Sequence, residues 1–203
     1  MDDTHALITT LKEIFQTAFI SFGIFLFVYI FLVQPHRVQG ISMHPNFDNG
    51  ELLLTEKVSY KFSDPKRSDV IVFQAPIEKK ADFIKRIIGT PGDTIKIHEG
   101  GVYINSVKLD ENYILGTVEG DKTITLGEND YFVMGDNRTA SSDSRVFGSI
   151  KKNAIRGKVW VVYWPFIKSG NFKGARFVSD VYNAIPNRFK YFGSLFWSSF
   201  NNN

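Results

Sequence analysis

Ser42 is the residue of this chain that is best placed to act as a nucleophile. It lies in the segment Gly40-Ile41-Ser42-Met43-His44-Pro45, shortly after a long charge-free apolar run. A serine hydroxyl is a weak nucleophile at its ordinary pKa, so it needs a neighbouring base. The chain has no cysteine and its four histidines are scattered, which excludes thiol chemistry and predicts no metal site. The base must therefore be sought elsewhere.

Lys85 is the candidate base. It lies in Phe83-Ile84-Lys85-Arg86-Ile87, where strand alternation places Phe83, Lys85 and Ile87 on one face. Both faces are mainly apolar, so Lys85 or Arg86 must be carried inward or extend outward. Burial lowers the pKa of a lysine, and a neutral amine can accept a serine proton. Because Ser42 and Lys85 are 43 residues apart, the sequence alone does not establish that they touch.

His44 is an alternative base because it follows Ser42 by two residues. Side chains two apart on an extended chain point the same way but lie about 6–7 Å apart, too far for proton transfer. The pattern therefore favours Lys85 over His44.

The composition limits the classes of function. The chain has 203 residues, 24 of them basic and 21 acidic, and a net charge of +3. These charges are interspersed, so we predict no nucleic-acid partner. With the N-terminal segment set aside, about 170 residues remain, enough for one sizeable domain.

The apolar run covers residues 14–33, which include no charged side chain. At about 1.5 Å per residue, 20 residues cross the roughly 30 Å hydrocarbon core of a bilayer. Large apolar side chains surround the helix, which favours a membrane anchor over a buried core helix. A cleavable signal peptide is the alternative, but it needs a shorter apolar core and a small-residue cleavage site. The flanking charges do not place the N-terminus in the cytoplasm and lean slightly the other way.

After residue 37 the pattern changes to short β-rich runs separated by turn sequences such as Asp48-Asn49-Gly50 and Pro91-Gly92-Asp93. Eight runs predict a mainly β domain of sandwich or barrel type. The predicted strands are residues 51–58, 69–74, 83–88, 94–98, 102–105, 123–126, 131–134 and 159–164.

The sequence thus divides into three predicted parts: an N-terminal segment with its anchor (1–36), a β-rich catalytic domain (37–170), and an aromatic and basic tail (171–203). The apolar stretches of the tail are too short to span a bilayer. Two interpretations stay open for it: an amphipathic segment on the membrane surface, and an element packed on the domain.

With these segments in order, the chain resembles the bacterial type I signal peptidases, which are Ser/Lys membrane endopeptidases that remove signal peptides from exported proteins. The resemblance covers roughly residues 14–166. Four ordered segments carry it: Gly40-Ile41-Ser42-Met43-His44-Pro45, Arg67-Ser68-Asp69-Val70-Ile71-Val72-Phe73, Lys85-Arg86-Ile87-Ile88-Gly89-Thr90-Pro91-Gly92-Asp93, and Gly135-Asp136-Asn137-Arg138-Thr139-Ala140-Ser141-Ser142-Asp143-Ser144-Arg145.

The resemblance implies roles for single residues. Ser42 is the expected nucleophile, Lys85 its general base, and Ser141 the hydroxyl that orients Lys85. The backbone N–H of Ser42 is one expected oxyanion donor. Some members of the family add a serine two residues before the nucleophile, where this chain has Gly40. The second donor is then either another backbone amide or a water.

The resemblance also implies a signal-peptidase-like β-rich fold with one transmembrane helix and no cofactor or metal. An extended substrate is expected to add as a strand between two edge segments, with small residues at the first and third positions before the cut (an Ala-x-Ala site). The expected binding residues are Gln39, Gly40, Ile41, Asp82, Phe83 and Ile84. We interpret four charged residues as a salt-bridged support beneath the site: Asp136, Arg138, Asp143 and Arg145. The alternative, that they form charge pairs that stabilise turns, is nearly the same interpretation.

The implied partners are the signal peptides of preproteins, the lipid bilayer and the protein export machinery. The implied location is the bacterial cytoplasmic membrane, crossed once, with the catalytic domain on the outer side. Two rivals from other classes stay open. One is a self-cleaving regulator of the repressor type, which the apolar run and the lack of a DNA-binding helix pair disfavour. The other is a non-catalytic membrane-tethered β module, which would not need Ser42, Lys85 and Ser141 together.

Overall fold

The computed structural model describes residues 2–77, 81–165, 167–168, 171–172 and 174–178. One long N-terminal helix, α1 (Asp2–Phe31), precedes a domain built mainly of strands. Two short helices, α2 (Ser59–Phe62) and α3 (Ser144–Phe147), and a 3₁₀ turn (Lys152–Ala154) interrupt the strands. The strands are β1 (Val33–Arg37), β2 (Leu52–Glu56), β3 (Val70–Gln74), β4 (Asp82–Gly89), β5 (Thr94–His98), β6 (Gly101–Ile104), β7 (Val107–Lys108), β8 (Lys122–Thr125), β9 (Asp130–Met134), β10 (Ile150–Lys151), β11 (Ile155–Trp164), β12 (Ile167–Lys168), β13 (Asn171–Phe172) and β14 (Arg176–Phe177).

The mainly β prediction is confirmed, and each of the eight predicted strands corresponds to a strand of the structure: β2, β3, β4, β5, β6, β8, β9 and β11. The strands that the pattern did not indicate are short, apart from β1. Two-residue strands such as β7 and β10 are too short to show an alternating pattern, so only their pairing partners define them.

The helix α1 contains a stretch, Ile8–Phe31, that is long and apolar enough to cross a membrane, with a mean hydropathy of 2.1 and no part buried against the domain. The helix ends two residues before the predicted limit of the apolar run, and β1 begins at Val33. Pro35 explains this end because proline cannot continue a helix and disfavours helical geometry in the residue before it. As a result, β1 crosses the predicted boundary between residues 36 and 37.

The main sheet has eight strands in the order β1-β2-β11-β3-β4-β9-β10, with β14 also paired to β11. All of its pairings are antiparallel. A second sheet has the order β7-β6-β5-β8, and β12 pairs with β13. Strand β4 therefore lies inside the main sheet, between β3 and β9.

Strand β4 changes partner along its length. It pairs with β3 from Asp82 to Arg86 and with β9 from Arg86 to Gly89. Within the described residues, its first half therefore has a neighbour on the β3 side alone. An extended chain could hydrogen-bond to such an open strand edge.

A core of buried apolar residues lies between the main sheet and the loop that follows β1. This core holds Val38, Met43, Phe47, Leu53, Val70, Val72, Val159, Val162 and Val178. Val178 belongs to the predicted tail, and β14 just before it pairs with Val161 and Val162 of β11. The start of the tail therefore packs on the domain. The two interpretations of its remainder concern residues 179–203, which lie outside the described residues.

Candidate active site

The loop carrying Ser42 is anchored in the core by Val38 before the serine and by Met43 and Phe47 after it. Met43 and Phe47 are buried at 1% and 0% exposure. Within the loop, the His44 N–H donates to the Ile41 carbonyl at 3.1 Å and the Phe47 N–H to the Met43 carbonyl at 2.9 Å. Buried apolar anchors and local hydrogen bonds hold the Ser42 backbone in one place while its side chain is left partly exposed.

Strand β4 carries Lys85 to this serine. Lys85 is only 4% exposed. Its Nζ lies 2.8 Å from Ser42 Oγ and 2.9 Å from the Ile84 carbonyl oxygen. The structure thus brings together the two residues that the sequence proposed as nucleophile and base, despite the 43 positions between them.

Burial changes the acid–base chemistry of Lys85. Desolvation of the ammonium lowers the pKa of Lys85 to about 8, against an opposing effect of the Asp143 and Asp136 carboxylates. Neither carboxylate hydrogen-bonds Lys85: Asp143 is held by Arg145 and the Gly135 N–H, and Asp136 by Arg86 and Asn46. The amine can therefore become neutral close to physiological pH and accept a proton from Ser42 over the same 2.8 Å contact.

Ser141 lies next to the pair but does not hydrogen-bond to Lys85. Its Oγ is buried and makes no hydrogen bond with any group in the described part of the chain. Gly135 separates Ser141 from Ser42: a Cβ built on Gly135 would lie 2.5 Å from the Ser42 carbonyl oxygen and closer still to Ser141 Oγ. The orienting role of Ser141 stays a prediction.

The four residues predicted to support the site are all paired, in part with residues that the sequence reasoning missed. Asp143 accepts from Arg145 Nε at 2.8 Å and from the Gly135 N–H at 3.0 Å. Asp136 forms a bidentate pair with Arg86, at 2.8 and 2.6 Å. Arg138 binds Glu111 through both terminal nitrogens.

Arg86, Glu111 and Asn46 are the missed members of this network. Asn46 Nδ2 donates to Asp136 Oδ2 at 2.8 Å and to the Tyr113 carbonyl at 2.9 Å. A signal for Arg86 existed, because a guanidinium in an apolar strand is buried only when it is paired. For Glu111, in a stretch without periodicity, we find no such signal.

A cleft of about 520 Å³ opens beside the Ser42–Lys85 pair. Its walls include Gln39, Asp82, Phe83 and Ile84, four of the six residues predicted to bind substrate. The other two, Gly40 and Ile41, are exposed and are not part of its lining. The Gly40 N–H donates to Asn49 Oδ1 at 2.9 Å, so it is already engaged. The cleft also adjoins the open half of β4.

The alternative base, His44, is paired elsewhere. Its Nδ1 lies 2.8 Å from Asp48 Oδ1, and the side chain is 48% exposed. This arrangement directs the imidazole to Asp48 and the surface, whereas Ser42 Oγ is contacted by Lys85.

Comparison with known proteins gives the family of the chain. Residues 11–164 match the sequence model of the family described as "Signal peptidase, peptidase S26". The chain belongs to this signal peptidase family. It is 40% identical over 152 residues to signal peptidase I of Bacillus caldolyticus, an alignment that covers 68% of this chain and 82% of the relative. It is 36% identical over 166 residues to signal peptidase IB of Staphylococcus aureus strain COL, covering 72% and 86%.

Among solved structures, a signal peptidase I from Enterococcus faecalis V583 is 34% identical, with a TM-score of 0.44 over 47% of this chain and 97% of that chain. Membership of the signal peptidase family makes the chain a peptidase, a hydrolase that acts on peptide bonds. The resemblance stated from the four sequence segments is thereby confirmed.

Proposed function

We propose that this peptidase is a membrane-anchored serine endopeptidase that cleaves signal peptides from exported preproteins with a Ser42–Lys85 dyad. The observation that carries the proposal is the 2.8 Å contact between Lys85 Nζ and Ser42 Oγ. Family membership supports the substrate class, since the relatives in Bacillus caldolyticus and Staphylococcus aureus are named signal peptidases.

The first half of the reaction forms an acyl-enzyme. Neutral Lys85 takes the Ser42 hydroxyl proton as Ser42 Oγ attacks the carbonyl carbon of the scissile bond, producing a tetrahedral oxyanion and a lysine ammonium. As the intermediate collapses, the C–N bond breaks, and the ammonium returns its proton to the departing amine, the new N-terminus of the mature protein. The signal peptide is left as an ester on Ser42.

The second half of the reaction repeats this chemistry with water. Neutral Lys85 accepts a proton from a water molecule as its oxygen attacks the ester carbonyl. The new tetrahedral intermediate then expels Ser42 Oγ, which recovers a proton from the Lys85 ammonium. The products are the free carboxylate of the signal peptide and the original enzyme.

The Ser42 backbone N–H is the proposed donor to the oxyanion. Within the described residues it donates no hydrogen bond, so it is available to the developing charge. Gly40 has no side-chain donor and its N–H is engaged by Asn49. The second donor is therefore another backbone amide or a water rather than Gly40.

The substrate is proposed to bind as an added strand along Asp82, Phe83 and Ile84, facing Gln39, Gly40 and Ile41. The open half of β4 supports this, since an unpaired edge supplies main-chain donors and acceptors to an extended peptide. Alternate substrate side chains would enter the cleft beside Lys85, and we propose small residues at the first and third positions before the cut.

The anchor is the proposed membrane contact. Ile8–Phe31 is long and apolar enough to cross the membrane once. We propose that the chain lies in the bacterial cytoplasmic membrane with its catalytic domain on the outer side, where exported preproteins emerge from the export machinery. On this proposal residues 1–36 anchor, 37–170 catalyse and the tail from 171 packs on the domain or the membrane surface.

Cleavage of a preprotein with an Ala-x-Ala site by the detergent-solubilised chain tests the proposal. Wild type should cut after the second alanine, and Ser42→Ala and Lys85→Ala should not, with circular dichroism unchanged in both. Lys57→Ala, outside the lining of the cleft, is a control that should retain activity. Cleavage that survives in Ser42→Ala or Lys85→Ala would refute the dyad, and an inactive wild type would favour the alternative of a non-catalytic membrane-tethered β module.

A further inference from the structure

Asn137 hydrogen-bonds to the backbone carbonyl groups of Ser42 and of the residue before it. Its main-chain N–H donates to the Ser42 carbonyl oxygen at 3.0 Å. Its side-chain Nδ2 donates to the carbonyl oxygen of the preceding residue, Ile41, at 3.2 Å. One residue therefore holds two consecutive carbonyl groups, although it lies 96 positions from Ile41 along the chain.

The Ile41 carbonyl belongs to the same peptide group as the Ser42 N–H. A trans peptide is planar, and its C=O and N–H point in opposite directions. A donor that fixes the direction of the Ile41 carbonyl therefore also fixes the direction of the Ser42 N–H. A hydrogen bond to the carbonyl further polarises the amide and strengthens its N–H as a donor.

The Asn137 side chain is itself held in one orientation. Its Oδ1 accepts from Thr139 Oγ1 at 3.1 Å and from the Ala140 N–H at 3.2 Å. Only the oxygen can accept these bonds, so the NH₂ group must face Ile41. Asn137 is 4% exposed, and the parallel bridge to Leu115 fixes its backbone.

We infer that Asn137 is a positioning residue for the oxyanion site: its side-chain amide sets the direction and donor strength of the Ser42 N–H. The inference rests on the proposed function, in which that N–H stabilises the tetrahedral oxyanion. Within the described contacts Asn137 touches neither Lys85 nor Ser42 Oγ. It therefore affects the stabilisation of the oxyanion and not the proton transfer to Lys85. The Ile41 carbonyl keeps its bond from the His44 N–H when Asn137 is changed, so the loss should be partial.

Asn137→Ala is the first variant. Outright removal of an oxyanion donor lowers kcat by about 10²–10³-fold, so loss of the group that orients one should lower kcat by about tenfold. KM should stay unchanged, because the effect belongs to the transition state. The pH at which activity is half-maximal should also stay unchanged, because Lys85 is not contacted.

Asn137→Asp is the isosteric second variant. Its carboxylate can still accept from Thr139 and Ala140, but it sets a negative oxygen against the Ile41 carbonyl where an N–H group donated before. We therefore expect a larger loss of kcat than in Asn137→Ala. Asn105→Ala serves as the matched control, since Asn105 is an amide outside the lining of the cleft that donates to Asp93 and accepts from the Thr94 N–H.

The deciding measurement uses a peptide aldehyde with a small residue at its end, which forms a hemiacetal with Ser42 and presents an oxygen to the same N–H. Affinity of the full-length chain for the aldehyde should fall in step with kcat/KM across wild type, Asn137→Ala and Asn137→Asp. Asn105→Ala should lower the melting temperature while its kcat/KM and its affinity for the aldehyde stay at the wild-type values. Aldehyde affinity that is unchanged while kcat falls, or a shifted pH midpoint, would overturn the inference.

Failure of the proposed function would give a different result. A wild-type chain that binds the aldehyde but cleaves no preprotein contradicts the proposed substrate, and the aldehyde comparison still decides the role of Asn137. A wild-type chain that neither binds the aldehyde nor cleaves overturns both.

Discussion

Lys85 and Arg86 are consecutive residues of β4, and both are buried, at 4% and 1% exposure. Strand alternation sends them to opposite sides of the sheet. Lys85 hydrogen-bonds to the Ser42 hydroxyl and the Ile84 carbonyl. Arg86 instead pairs with the carboxylate of Asp136. Within the described residues Lys85 has no ion-pair partner that would keep it charged, whereas Arg86 pairs with Asp136. On the proposed function, these two neighbouring residues serve different purposes: Lys85 takes part in proton transfer, and Arg86 supports the framework.

Activity should depend on pH through Lys85. Burial lowers the pKa of Lys85 to about 8, and only the neutral amine can accept the Ser42 proton. The kcat/KM value should therefore fall by about tenfold per pH unit well below pH 8 and level off above it. Initial rates of preprotein cleavage between pH 5 and 10 would measure this on the full chain. A rate that is flat from acid to alkaline pH would contradict the assignment of Lys85 as base.

Lys85→Met should make the folded chain more stable at neutral pH although inactive. The pKa of Lys85 is about 8 when folded and 10.5 without burial, so the charged form is penalised by folding. The penalty is complete below pH 8 and is relieved as pH rises toward 10.5. Removing it should raise the free energy of unfolding by up to about 3 kcal/mol at pH 6.

Unfolding of wild type and Lys85→Met by denaturant at pH 6 and pH 10 would measure this difference, which should shrink at the higher pH. A variant less stable than wild type at pH 6 would show that packing of the lysine stem outweighs its desolvation.

Arg86→Met should strongly destabilise the fold. It leaves the Asp136 carboxylate buried with Asn46 as its remaining side-chain donor. Breaking one side of a buried ion pair costs about 3–5 kcal/mol. Lys152→Met is the control, because Lys152 pairs with Asp64, which is 80% exposed, and such surface pairs contribute about 0–1 kcal/mol. Equal losses in both variants, measured by thermal unfolding, would argue against a structural role for the Arg86–Asp136 pair.

Gly135→Ala should reduce activity sharply while the fold survives. The added methyl group would overlap the Ser42 carbonyl oxygen and Ser141 Oγ, and the carbonyl is backbone that cannot move without displacing the nucleophile. Overpacking of this kind costs about 1–3 kcal/mol. Gly23→Ala is the matched control, because a methyl group there meets nothing within 4 Å. If Gly135→Ala cleaves a preprotein as fast as Gly23→Ala, the close approach at Gly135 is not needed for catalysis.

Chelators should leave activity unchanged. The proposed mechanism assigns every proton transfer to Lys85 and uses no metal-bound water. Rates with and without EDTA, compared after dialysis, would test this. Inhibition that is reversed by added zinc would require a metal in the mechanism.

The strands were predictable from sequence because each long strand, apart from β1, is a run of β-branched, aromatic or apolar residues between turn sequences, some alternating and some continuously apolar. The end of α1 was misplaced by two residues, since apolarity continues through Val33 while Pro35 determines where the helix stops. The strand β1 was missed because its sequence, Val33-Gln34-Pro35-His36-Arg37, has no regular pattern. This segment is a strand because it pairs with β2 over its whole length.

The site was predictable in part. The residue types of Ser42 and Lys85 indicated the chemistry, but their contact depends on how the fold places the first half of β4 beside the loop that follows β1, which is a fact of topology. The pairs Arg86–Asp136 and Arg138–Glu111 join residues 50 and 27 positions apart, and no local pattern selects one carboxylate among 21 acidic residues. The hydrogen bonds from Asn137 to the Ser42 loop are likewise long-range contacts.

If the substrate adds as a strand along the open half of β4, as proposed, that edge also selects substrates by conformation. A helix or a folded domain has already used its backbone N–H and C=O groups internally, so it has none to offer this edge. Only a stretch of chain that is unpaired for several residues can add to the strand beside Lys85. A substrate with a perfectly suitable sequence in a helix would escape cleavage until that helix unwound, and a folded mature protein would be safe beside the enzyme.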